Sequence, residues 1–86
     1  MIKLSTLTGV QIRMARNALH WSVRELALRS KVSTSTITRA EASDDVPNTT
    51  EANLSLLTAA LEAAGIEFIG TPCDGPGIRI HAKPGK

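Results

Sequence analysis

Between Ser33 and Ala42 the chain sets four hydroxyls and a guanidinium within six residues: Thr34, Ser35, Thr36, Thr38 and Arg39. Short hydroxyl side chains allow a helix to approach another surface closely. An arginine fork presents paired donors that match two adjacent acceptors, such as O6 and N7 of guanine. This is the chemistry of recognition. Groups for bond-making chemistry are too few and too scattered. Cys73 has no orienting third group near a base, and Cys73, Asp74, His20 and His81 have none of the paired spacing that holds a metal. Gly75 and Gly77 lack the strand-to-helix context of a nucleotide loop. The expectation is a chain with no catalytic residue, no metal and no cofactor.

For the five polar residues to act together, a helix must carry them. Ser33 is placed to cap one that runs to about Ala42. Turning about 100° per residue from Ile37 as the buried centre puts Ala40 and Glu41 inward. Ser35, Arg39 and Ala42 then point outward, with Thr36 and Thr38 on the flanks and Thr34 at the helix end. The preceding helix opens at the capping box Ser22-x-x-Glu25 and runs through Ser30, with Leu26 and Ala27 inward. Only Lys31, Val32 and Ser33 separate the two, and Val32 is the apolar turn residue that tucks beneath both. Thr8-x-x-Gln11 opens an earlier helix to about Leu19, and Asn48, three residues before Glu51, is placed to cap a fourth. Leu54, Leu57, Leu61 and Ala64 repeat at helical spacing before Gly65 ends it. Beyond Gly65 two β-like runs, Ile66–Ile69 and Ile78–His81, flank a Gly/Pro-rich link longer than a tight hairpin turn.

Length and charge narrow the partners. A chain of 86 residues is one small domain, able to bury only about 60–65% of its unfolded surface. Trp21 and Phe68 are its only aromatics, so the core is aliphatic and favours helices. The single Cys73 cannot close an intrachain disulfide, no run approaches the roughly 20 apolar residues of a membrane span, and Met1–Leu4 lacks a leader's apolar stretch. A cytoplasmic chain without membrane contact is expected. The formal charge of +2 conceals an asymmetry: residues 1–42 carry seven Lys/Arg against Glu25 and Glu41, whereas residues 43–70 carry five acids and no base. The basic half suits a polyanion.

The run from Thr8 to Glu41, TGVQIRMARNALHWSVRELALRSKVSTSTITRAE, resembles the Xre/Cro-repressor family of helix-turn-helix regulators. Arg16, the Ala18–Ser22 entry, Glu25-Leu26-Ala27, Val32-Ser33 and Ser35–Glu41 carry the resemblance, which with the fourth helix covers residues 8–65. It implies a mostly α fold: a four-to-five-helix Cro/repressor-like domain over residues 1–65, with a short C-terminal β-hairpin or strand pair over 66–82; Lys83-Pro84-Gly85-Lys86, at the end of the chain, is expected to be a disordered tail. It implies double-stranded DNA as partner. Thr34, Ser35, Thr38 and Arg39 fall on base-contacting positions, and Ser22 at a helix N-terminus falls on a phosphate. Arg24, Lys31, Thr36, Arg13 and Asn48 are the further backbone contacts expected. Arg16 and Glu41 match an ion pair that clamps the first helix to the end of the third.

Two features depart from the family pattern. Val23 stands where a polar residue usually touches the DNA backbone, and Asp44 and Asp45 follow the recognition helix where acids would weaken a phosphate grip. Because a lone hairpin is marginal in water, Ile66, Phe68, Ile78 and Ile80 are expected to join two copies into a homodimer, by strand pairing, by packing of the fourth helix, or both; the plainer alternative is that the strands cover the chain's own core. The reading is thus a regulator, in its simplest form a repressor, acting as a homodimer on an inverted repeat. The alternative is an antitoxin or adaptor whose main partner is a toxin or another protein.

Overall fold

The computed structural model describes residues 7–43, 49–71 and 74–81. Within them four helices precede one antiparallel strand pair: α1 (Gly9–Ala18), α2 (Val23–Ser30), α3 (Thr34–Glu41), α4 (Glu51–Ala63), β1 (Ile66–Thr71) and β2 (Asp74–Ile80). This is the mostly α, Cro/repressor-like class with a terminal hairpin that the resemblance implies. No helix among the described residues is long and apolar enough to cross a membrane.

Local signals explain most of the boundaries. Thr8 and Gln11 form a complete capping box, the Thr8 hydroxyl accepting from Gln11 N while the Gln11 side chain accepts from Thr8 N. Ser22 and Ser33 cap α2 and α3 by accepting from Glu25 N and Thr36 N. The Ser22–Glu25 box is only half made, because the Glu25 carboxylate turns to Arg29 at 2.6 Å. The fourth helix corrects its expected cap. Thr50, not Asn48, accepts from Asn53 N, and Asn48 lies outside the described residues.

Packing follows the apolar spacing. Ile12 and Ala15 of α1, Leu26 of α2, Val32 of the turn, Ile37 and Ala40 of α3, and Leu54, Leu57 and Leu61 of α4 form one buried cluster. Gly9 lies where α1 meets the end of α3. A Cβ there would overlap the carbonyl oxygens of Ala40 and Ser43 at the end of α3, so only glycine lets α1 sit against it.

The hairpin is longer and tighter than its sequence suggests. The strands extend into the Gly/Pro-rich link and pair Ile66 with Ile80, Phe68 with Ile78 and Thr71 with Asp74, leaving only residues 72–73 between them. The register slips between Ile69 and Thr71. Gly70, at φ +78°, crosses the Gly75 carbonyl so closely that a side chain there would collide. Ile66 is 2% exposed and belongs to the chain's own core, so it offers no surface to a second copy. Phe68 and Ile78 lie half-buried against the same core, and of the four expected interface residues only Ile80, 61% exposed, projects into solvent. The tail 83–86 lies outside the described residues.

Candidate nucleic-acid interface

The α2–turn–α3 unit is built by three small devices. Lys31 caps α2 in the left-handed conformation (φ 67°, ψ 23°), which reverses the chain within one residue. Val32 then drops into the core. Ser30, 2% exposed, closes the turn: its hydroxyl donates to Leu26 O at 2.7 Å and accepts from Val32 N at 3.2 Å. The two bonds satisfy a buried hydroxyl and an otherwise orphaned turn amide together. Sequence reasoning passed over Ser30, and a small hydroxyl on the last residue of the helix was its only signal.

Helix α3 divides cleanly. Ile37, Ala40 and Glu41 are buried, whereas Thr34, Ser35, Thr38, Arg39 and Ala42 are exposed. Thr34 and Thr38 stand one turn apart, as do Ser35 and Arg39, so the four expected base-contacting residues make two adjacent rows on one face. Thr36 is half-buried at the edge of that face and its hydroxyl accepts from Ser33 Oγ at 2.8 Å. Ser22, Arg24 and Lys31 are exposed, at the start of α2 and in the turn. Val23 is half-buried against the core, which accounts for an apolar residue at a position where the family usually has a polar one. Asp44, Asp45 and Asn48 lie outside the described residues.

Behind the exposed face, two arginines of α1 grip the end of α3. Arg16 meets the Glu41 carboxylate with both forks, Nε to Oε2 at 2.7 Å and Nη2 to Oε1 at 2.9 Å, and its remaining Nη1 donates to Trp21 O at 2.9 Å. The Arg16 and Glu41 side chains are 15% and 7% exposed. The Glu41 hydrogen bond, with its charge, holds the Arg16 pKa above the ordinary value against the opposing effect of burial. Arg13, expected on a phosphate, is half-buried and donates from Nη1 to the Glu41 carbonyl at the negative end of α3. That backbone contact is non-local and has no sequence signal. Trp21 lies half-buried beside this clamp, with the Arg29 guanidinium 4.4 Å from its ring centre.

The unit presents a short-chained polar face with one guanidinium beside the serine-capped N-termini of α2 and α3. Such a face is suited to the edges of base pairs and to phosphates. Searches of curated proteins and of solved structures return no match. A helix-turn-helix family model matches residues 12–66, which takes in the Arg16–Glu41 clamp, both helices of the motif and all of α4. The chain belongs to the Xre/Cro-type helix-turn-helix family of DNA-binding transcription regulators.

Proposed function

We propose that the protein is a repressor that binds an inverted-repeat operator as a homodimer, with Thr34, Ser35, Thr38 and Arg39 reading bases in the major groove. The observation that carries this reading is the division of α3. Its exposed residues are small hydroxyls and one arginine, and its buried residues fix its orientation through the core and the Arg16–Glu41 clamp. Ser22, Arg24, Lys31 and Thr36 hold the phosphates on either side. Two features support a second copy. Ile80 is exposed at the end of β2, and α4 carries only Glu51 and Glu62 as charges while leaving Leu56 44% exposed. A two-fold dimer sets two recognition helices about one DNA turn apart, roughly 34 Å.

Selection from random duplexes, followed by fluorescence anisotropy, should recover an inverted repeat whose affinity falls steeply with salt. Arg39→Ala should lose about 1–3 kcal/mol on that site and relax the preference at one base. Loss of affinity that is equal for all sequences would remove Arg39 from the base-reading set. A monomeric mass by light scattering, with and without operator, would refute the dimer.

Leu28 favours a second reading, a protein partner, because it stands 71% exposed on α2. Leu28→Glu separates the two readings: a repressor keeps its operator affinity, while an adaptor loses its protein partner.

A further inference from the structure

Gln11 is 1% exposed, and all four hydrogen-bonding positions of its amide are filled. Its Oε1 accepts from Thr8 N at 2.9 Å and from the Thr8 hydroxyl at 3.2 Å. Its Nε2 donates to Ile69 O at 2.9 Å and to Gly77 O at 2.7 Å. Those carbonyls belong to facing residues of β1 and β2, so one amide holds both strands at once. The cap alone needs only an acceptor at this position, and glutamate serves a capping box as well as glutamine does. A carboxylate in the same place would turn an oxygen toward two carbonyl oxygens. The –NH2 group therefore answers to the hairpin and not to the helix cap.

The contact continues toward the recognition helix. Thr8 is followed by Gly9, which is pressed against the Ala40 and Ser43 carbonyls at the end of α3. The hairpin is thus hydrogen-bonded to the Gln11 side chain, Gln11 to the cap of α1, and Gly9 in the first turn of α1 lies close against the end of α3.

We propose that Gln11 is a positioning residue that sets the angle between the hairpin and the recognition helix, and through it the spacing of half-sites that a dimer accepts. The inference rests on the dimeric regulator reading, with the hairpin contributing to the junction. If the hairpin of each copy is held at the two-fold axis, any looseness between hairpin and α3 is carried outward to the reading face. The tether then narrows which separations of the two half-sites can be engaged together.

Gln11→Glu tests this, because it keeps the cap's acceptor while replacing the donors to the strands with an oxygen that faces their carbonyls. Wild type and variant are each selected against libraries in which fixed half-sites are separated by spacers of varied length. Wild type should prefer one spacing. The variant should keep the same half-site bases, lose about tenfold at the best spacing, and accept spacers one base pair shorter or longer nearly equally. A merely structural role would lower affinity in parallel at every spacing, and that outcome, or an unchanged profile, overturns the proposal. Wild type that binds half-sites without any preferred spacing overturns the dimeric reading itself.

If Gln11→Glu does not fold, the wild-type Gln11 side-chain amide protons give the answer by nuclear magnetic resonance. On an operator one base pair too long their exchange should quicken relative to the optimal operator. Equal protection on both operators overturns the tether.

Discussion

Replacing Arg16 with methionine removes the guanidinium while keeping most of the side-chain length. The Glu41 carboxylate, 7% exposed, then loses both of its donors from Arg16, and Trp21 O loses a third bond. Breaking one side of a buried pair costs about 3–5 kcal/mol, because the remaining charge is stranded in a poorly solvated place. Arg16 itself is 15% exposed, so water can reach the vacated site in part, and the lower end, about 3 kcal/mol, applies. A domain of this length holds only about 4–13 kcal/mol in total. The loss corresponds to a fall in Tm of roughly 12–24 °C. Trp21 is the sole tryptophan and stands beside the clamp, so its fluorescence in urea, with circular dichroism as a second probe, reads the change directly. The double variant Arg16→Met/Glu41→Leu should recover most of the loss, since an apolar pair has no charge to strand. A cost below about 1 kcal/mol for Arg16→Met, or a double variant no more stable than the single, would refute the claim that desolvated charge is what the pair controls.

Gly9→Ala should destabilise by about 1–3 kcal/mol in chemical denaturation even though alanine is the better helix former, because the added methyl overlaps the Ala40 and Ser43 carbonyls. Lys31→Gly should stabilise by about 0.5–1 kcal/mol by relieving the left-handed conformation. If Lys31 also meets a phosphate, the same variant should lower the salt dependence of operator binding by about one unit of slope. The His81 hydrogen bond, helped by the Arg79 charge, holds the Glu67 carboxyl below its ordinary pKa. A depressed carboxyl pKa adds stability that is present above the unfolded value and lost as pH falls through the folded one. Thermal melts of wild type and Glu67→Gln should therefore differ at neutral pH and converge below the carboxylate range; a gap that persists in acid would refute the assignment.

Signals carried by neighbouring residues were legible in the sequence, and those made by distant ones were not. Caps at Thr8, Ser22 and Ser33 could be read because a cap and its N3 partner are three residues apart. The phase of α3 followed from Ile37 alone, and so did the exposure of Thr34, Ser35, Thr38 and Arg39. Asn48 and Thr50 both suit a cap, and spacing to Glu51 favoured the wrong one; the bond from Asn53 N decides for Thr50. The hairpin register depends on Gly70 and Gly75 taking positive φ and on a slip that alternation cannot reveal. The same limit hid the inward turn of Ile66, the Arg13 contact with the Glu41 carbonyl and the Gln11 bonds to both strands, each of which joins residues far apart in the chain.

The partition of α3 also bears on how such a protein can change over evolutionary time. Ile37, Ala40 and Glu41 carry its packing, while Thr34, Ser35, Thr38 and Arg39 stand in solvent and contribute little to the fold. Substitutions at the four outer positions should therefore be close to neutral for stability, as exposed sites generally are. If that face reads bases as proposed, duplicated copies of this gene could drift to new operators through single replacements on it, each step leaving a folded protein. Divergence of target sequence and preservation of the scaffold are thereby uncoupled within a helix of eight residues.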